Sequence, residues 1–282
     1  MSAPAHLVTL PNGTTSQRLG LGTWLLGEDP ARHDTELAAL RRGLDLGLTL
    51  VDTAEMYGDG AAETLIGEAI AGRRDEVVLV SKVLPSNASR RGVVDACRRS
   101  LERLGTDRID VYLLHWRGRF PLAETVAGFE ELAEAGDIGG WGVSNFDVDD
   151  LAELARVAGG SHAQLNQVLY NLARRGPEFD LLPRLREAGM PLMAYSPVDH
   201  GELLDDTTLD EIAEAKGVTP AQLALAWVLQ AIPDGLVAVK ASSVAHVEQN
   251  AAALEVSFTP QELAALDAAF PPPARHTPLE ML

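Results

Sequence analysis

The run Val77–Val83, VVLVSKV, reads as a buried strand, yet it carries an ammonium group near its end. The chain uses only three lysines, Lys82, Lys216 and Lys240, among 23 basic residues, and two of the three close such apolar runs. A lysine taken out of water is costly unless a carboxylate meets it. Asp52, ending the run LTLVD, can supply that charge. Tyr57 follows Asp52 by one short turn, and an ammonium beside a phenol favours the phenolate and lowers its pKa. A tyrosine tuned in this way gives or takes a proton near neutral pH. His115, closing IDVYLLH, adds a ring able to hydrogen-bond an oxygen. Asp52, Tyr57, Lys82 and His115 together make a proton-transfer site, provided that the fold brings separate strand ends to one place. Glu55, between Asp52 and Tyr57, is left open between a supporting contact and solvent.

The pattern of elements meets that condition. Eight short apolar runs, LGLGTW, LTLVDTA, VVLVSKV, IDVYLLHW, IGGWGVSN, AQLNQVLYN, PLMAYSPV and LVAVKAS, are each followed by a stretch with apolar residues at three- and four-residue spacing. Several of these helical stretches end in Gly, as in ERLG and AEAG, where Gly suits a left-handed C-cap. Short continuous apolar strands suit a parallel sheet buried on both faces. Eight β-α units in 282 residues predict an α/β fold, a (β/α)8 TIM barrel, over a doubly wound sheet. No linker or low-complexity stretch divides residues 1–282, so one domain is expected. HLVTLPNGTTSQ, with its Asn-Gly turn, predicts an N-terminal β-hairpin cap, and TPQELAALDAAF an extra C-terminal helix before a proline-rich tail. In such barrels chemistry sits at the C-terminal ends of the strands, where Asp52, Lys82, His115, Ser144, Asn145, Gln167, Tyr195, Ser196, Lys240 and Ser242 fall.

Composition narrows the function classes. A net charge of −18 repels phosphate, which argues against a nucleic-acid or anionic-membrane surface. The one cysteine, Cys97, can form no internal disulfide and lies mid-helix, where a free cysteine acts as a small buried hydrophobe. No apolar run reaches the roughly eighteen residues of a membrane span. MSAPAHLVTLPNGTT has neither the basic start nor the apolar core of a signal peptide, so the expectation is cytoplasmic. His6, His33, His162 and His276 show no spacing that would hold a metal.

The motifs LGLGTW, VDTAEMYGDG, VVLVSKV, VYLLHW, GGWGVSNF, LNQVLYN, MAYSPV and VAVKASSVAHVEQN, in this order and each at a strand end, resemble the aldo-keto reductases, in particular the compact bacterial branch of methylglyoxal-type and diketogluconate-type reductases. The resemblance covers nearly the whole chain. It implies NAD(P)H-dependent reduction of aldehydes and ketones by direct hydride transfer, with Tyr57 as general acid, Lys82 lowering its pKa, Asp52 paired with Lys82, and His115 orienting the carbonyl. It further implies cofactor contacts from Gly22, Thr23, Ser144, Asn145, Gln167, Tyr195, Ser196, Lys240, Ser242, His246, Gln249 and Asn250. Trp24 and Trp116 would wall the substrate pocket. No metal and a monomer are implied.

The last motif departs from the family pattern. Lys240 and Asn250 are retained, but Ala241 stands for the usual serine, His246 for the usual arginine and Gln249 for the usual glutamate. Lys240 can attract a 2′-phosphate as a point charge, without arginine's planar bidentate grip. NADPH is therefore the expected cofactor, with NADH as the alternative. A short RGRF segment after Trp116 and a short tail from Pro271 imply an open pocket for small aldehydes and α-dicarbonyls, with Arg117 and Arg119 either facing anionic substrates or solvated. Plainer readings stand beside these: Asp52 or Ser144-Asn145 as helix caps, Tyr57 as a packed aromatic, and Trp24 and Trp116 as core. Two other functions also fit these residues. Lys82 could form a Schiff base, as in a lyase, or the protein could bind NADPH as a non-catalytic regulator.

Overall fold

A computed structural model describes residues 6–282, apart from the side chains of His200 and Glu202. The start of the segment read above for targeting character lies outside the described residues. The strands are β1 Leu7–Thr9, β2 Thr15–Gln17, β3 Leu19–Gly22, β4 Leu50–Asp52, β5 Val78–Val83, β6 Val111–Leu114, β7 Trp141–Ser144, β8 Asn166–Leu169, β9 Leu192–Tyr195 and β10 Leu236–Lys240. The helices are α1 His33–Asp45, α2 Ala61–Ile70, α3 Arg90–Leu104, α4 Leu122–Ala135, α5 Val148–Leu154, α6 Leu181–Glu187, α7 Thr207–Lys216, α8 Pro220–Ala231, α9 Val244–Ala252 and α10 Pro260–Ala269. β3 to β10 close into a parallel barrel, with β10 pairing back onto β3. β1 and β2 form the expected antiparallel hairpin, and α10 is the expected extra helix.

Local chemistry sets the element ends. Ser89 caps α3 by accepting from Gly92 N–H, and Gly105 closes it at φ 61°, where a side chain would be strained. Thr219 and Thr259 form capping boxes with Gln222 and Glu262 and place Pro at the first helical position of α8 and α10.

Strand residues alternate between two apolar cores. Leu50, Val80, Leu113, Met193 and Ala238 pack inside the barrel with Val8 and Leu10 of the hairpin, which closes its floor. Leu79, Val83, Leu114 and Val143 face outward against helix residues such as Leu65, Val93, Cys97 and Phe129. Cys97 is buried there, and burial pushes its thiol up to about 12, so it is packing and not a nucleophile. Trp141 stacks on Phe129, and Trp227 lies beneath the Arg175 guanidinium. Among the described residues no helix is long and apolar enough to cross a membrane.

The barrel interior is tight at Gly20. A β-carbon there would lie 2.6 Å from the Leu50 side chain and from its carbonyl oxygen. Gly20→Ala is therefore expected to lower the unfolding free energy by about 2 kcal/mol through overpacking. Urea denaturation checks it; a variant with an unchanged midpoint would show that the strands can part at no cost.

Candidate active site

The alternation that fills the barrel also builds the site. Asp52, Lys82 and His115 each lie two residues beyond an interior residue, Leu50, Val80 and Leu113, and so project inward at the C-terminal mouth. Lys82 is fully buried and Asp52 is 4% exposed. The Lys82 ammonium donates to Asp52 Oδ1 at 2.8 Å and Oδ2 at 2.9 Å, to the Thr53 carbonyl at 2.8 Å, and lies 3.2 Å from Tyr57 Oη. Gln167 Nε2 donates to Asp52 Oδ1 at 2.7 Å. Thr23 donates to the Asp52 carbonyl through both its N–H and its hydroxyl. Every partner that a buried ion pair needs is thus present.

Protonation follows from these surroundings. Burial works against the Lys82 ammonium, but the Asp52 charge and the Tyr57 hydroxyl outweigh it, so Lys82 holds its proton above the usual lysine range. Tyr57 departs from the sequence expectation of a lowered pKa. Burial raises it, Lys82 pulls it down and Asp52 pushes it up again, and the net direction is upward. Lys82 lowers the phenol as expected, but the loss of water around the ring outweighs that. The pair therefore rests as ammonium and neutral phenol, a loaded proton donor. His115, 7% exposed, is pushed down to about 2 by burial and by the Lys82 charge, so its imidazole is neutral. Its ring meets Tyr57 edge-on at 5.8 Å and lies 4.9 Å from Trp116. Its enclosed Nδ1 has no hydrogen-bond partner among the described residues. The tautomer with the proton on Nε2 leaves that nitrogen a bare acceptor, which is less costly than a buried unpaired donor.

The remaining predicted residues divide into two groups. Ser144, Asn145, Gln167 and Tyr195 form a polar chain across the mouth. Ser144 Oγ donates to the Gln167 carbonyl, Asn145 Nδ2 to Ser144 Oγ and the His115 carbonyl, and Tyr195 Oη to Asn145 Oδ1 at 3.0 Å. Burial pushes Tyr195 up to about 12, against a backbone hydrogen bond from Leu282. Because the Asp52 carboxylate only accepts, the Gln167 amide must point its NH2 inward. Its carbonyl oxygen then takes no bond among the described residues and suits an incoming N–H. Lys240, Ser242, His246, Gln249 and Asn250 lie apart, at the end of β10 and on α9. Lys240 and His246 are exposed, and Lys240 forms no ion pair among the described residues of a strongly acidic chain. It sits beside the first turn of α9, whose N–H groups favour an anion. An anion seat at β10 and a free amide acceptor beside an aromatic ring at β8 and β9 fit the two ends of a dinucleotide.

Among the described residues five non-glycine residues have left-handed backbone, Leu25, Asp59, Asn145, Ser196 and Asp199, and all follow barrel strands at this mouth. Such strain gathers where a surface must be held in one shape. Trp24 and Trp116 are both partly exposed at the rim. Gly22, at the end of β3, pairs with Lys240 on one side and Asp52 on the other.

Several expectations change. Thr23, expected beside a cofactor, is 1% exposed and has its hydroxyl committed to Asp52. Arg117 is held by Glu153 and by the Gly118 and Phe120 carbonyls, so it does not reach toward a substrate. The short tail does not leave the mouth simply open: His276 meets Asp180 at 2.7 Å and Glu280 meets Arg174 at 3.3 Å, which ties the tail across the rim. Lys82 does not suit a Schiff base, because that role needs a neutral, reachable amine. Among the described residues no three His, Cys, Asp or Glu are grouped to hold a metal. The sequence left Glu55 unassigned; it is 8% exposed and bonded to the segment after β5. Its main partner is a backbone N–H, which leaves no mark in sequence.

Comparison with known proteins places these observations. The model of the Aldo/keto reductase family matches residues 18–270. Methylglyoxal reductase YeaE of Escherichia coli is 50% identical over 270 residues, covering 94% of each chain. A crystal structure of an aldo/keto reductase from Klebsiella pneumoniae in complex with NADP and acetate superposes with a TM-score of 0.96 at 48% identity, covering 99% of this chain and 100% of that one. A second structure from that organism, in complex with NADPH, has the same TM-score at 49% identity and the same coverage.

The His115 environment has a measurable cost in acid. The ring takes a proton in the unfolded chain below roughly pH 6.5 but stays neutral in the folded one down to about 2. Its contribution is therefore intact above that unfolded value and is lost as pH falls, at about 1.4 kcal/mol per unit. Urea denaturation at pH 7 and pH 5 is expected to show a larger acid loss for the native chain than for His115→Gln. Equal losses would mean that the ring can ionise in place.

Proposed function

This chain belongs to the aldo/keto reductase family, and from that premise we propose that Asp52, Tyr57, Lys82 and His115 carry out its carbonyl reduction, with Tyr57 as general acid. The observation that carries the reading is the Lys82 ammonium at 3.2 Å from the hydroxyl of a neutral Tyr57. A bound NAD(P)H would supply the hydride to the carbonyl carbon. The neutral His115 ring donates one N–H to the carbonyl oxygen, holding it beside Tyr57 Oη. As negative charge grows on that oxygen, Tyr57 gives up its proton, and the phenolate left behind lies against the Lys82 ammonium. Asp52 keeps Lys82 charged throughout. His115 is not the acid, because its cation is disfavoured at neutral pH.

The cofactor is held, in this reading, by Gln167, Ser144 and Asn145 at the carboxamide, by Tyr195 against the nicotinamide ring, and by Lys240 with the first turn of α9 at the 2′-phosphate. The free side-chain carbonyl of Gln167 and the Lys240 ammonium, which has no ion pair among the described residues, support it. Ser196, Ser242, His246, Gln249 and Asn250 would line the adenosine end. NADPH is favoured over NADH because Lys240 adds a charge that only the phosphate needs. Small aldehydes and α-dicarbonyls are the proposed substrates, in keeping with the methylglyoxal reductase similarity.

Absorbance assays of NADPH and NADH consumption with methylglyoxal are expected to show aldehyde-dependent turnover, faster with NADPH. Tyr57→Phe should lower the rate by about a hundredfold or more while cofactor affinity stays unchanged. A Tyr57→Phe variant that keeps its rate would remove Tyr57 from the role of acid. A Lys240→Ala variant with undiminished NADPH affinity would move the phosphate seat elsewhere.

A further inference from the structure

The loop that carries Tyr57 is fastened to β5 by an unusual rung. Past the end of β4, backbone bonding to β5 continues in steps of two, from Thr53 N–H to the Val80 carbonyl at 2.9 Å and from Glu55 N–H to the Lys82 carbonyl at 3.3 Å. The chain then leaves β5 to turn over Lys82. At the next step the Glu55 side chain takes over: its Oε1 accepts the Leu84 N–H at 2.7 Å and Asn87 Nδ2 at 2.9 Å. Arg99 of α3 lies 3.8 Å from Oε2. Glu55 is buried while its neighbour Met56 is 40% exposed, so the carboxylate is directed inward just before the turn.

We propose that Glu55 is the positioning residue of the proton donor: its carboxylate supplies the rung at Leu84 and so fixes the turn that holds the Tyr57 hydroxyl against Lys82. Lys82 is thereby gripped on both sides, by Glu55 N–H at its own carbonyl and by the Glu55 carboxylate two residues on. Without this rung the loop is free to lift away from β5, and Tyr57 loses register with the ammonium. The inference rests on Tyr57 being the acid, and the test separates the two.

Glu55→Ala, Glu55→Gln and Tyr57→Phe are compared by kcat, KM, NADPH affinity by fluorescence, and the pH profile of kcat for reduction. The groups facing Tyr57 are Asp52 of β4, Lys82 of β5, His115 after β6 and Tyr195 of β9. Of these only Lys82 lowers the phenol, so losing its contact moves the alkaline limb to higher pH. Glu55→Ala is expected to lower kcat on the order of tenfold, with that limb displaced upward and NADPH affinity unchanged. Glu55→Gln keeps an oxygen acceptor and is expected to restore most of the rate. A Glu55→Ala limb identical to that of the native enzyme, or a Glu55→Gln variant as slow as Glu55→Ala, overturns the proposal. An active Tyr57→Phe sinks the acid assignment itself. If Glu55→Ala does not fold, Asn87→Ala removes one of the two hydrogen-bond donors to Oε1. It must then show the same changes on a smaller scale, and a native rate and profile there would overturn the role of Glu55.

Discussion

The buried ion pair between Lys82 and Asp52 is the constraint around which the mouth of the barrel is arranged. An ammonium with no exposure is tolerable only if its charge is met and its protons are used. Asp52, the Thr53 carbonyl and Tyr57 do this. Asp52 in turn needs its own partners, and Gln167 and Thr23 reach it from β8 and from the end of β3. Residues that would otherwise be read as separate contacts are thus one network. Among the described residues it leaves the His115 ring nitrogens and the side-chain carbonyl of Gln167 without partners.

Side-chain bonding also explains why strained backbone is tolerated nearby. Asn145, Ser196 and Asp199 each adopt a left-handed conformation that costs roughly 1–3 kcal/mol unless the surroundings impose it. Asn145 is held by the His115 carbonyl and Tyr195, and Asp199 by Asn171 and Arg174. Asn171 also donates to the Ser196 carbonyl. The strain is therefore shared among side chains that have other tasks. The loops that follow the barrel strands are thus tied to one another by side chains at the mouth.

Much of this was legible in sequence because a strand has a period of two. Asp52, Lys82, His115, Gln167, Tyr195 and Lys240 each stand two residues beyond an apolar interior residue, so one alternation rule locates both the core and the chemistry. The barrel, the hairpin and the last helix followed from the same apolar spacing and from turn residues. What escaped depends on distances between loops. The net pKa direction of Tyr57 reflects how much water the fold removes, which no spacing encodes. The hydroxyl of Thr23, the guanidinium of Arg117 and the tail beyond Pro271 are committed to partners far along the chain. Glu55 bonds to a backbone N–H, a partner that every residue but proline offers.

Gly22 has Lys240 beside it on one strand and Asp52 on the other. The seam of the barrel therefore lies beside Lys240 and Asp52, which are far apart in the sequence and stand on the two strands that flank β3. During synthesis Asp52, Tyr57, Lys82 and His115 all leave the ribosome well before β10 exists. Until that final strand is made, β3 has an unpaired edge and Lys240 has no place beside Gly22. The pairing that closes the barrel is thus the same one that brings Lys240 and α9 to the mouth where Asp52, Tyr57, Lys82 and His115 lie.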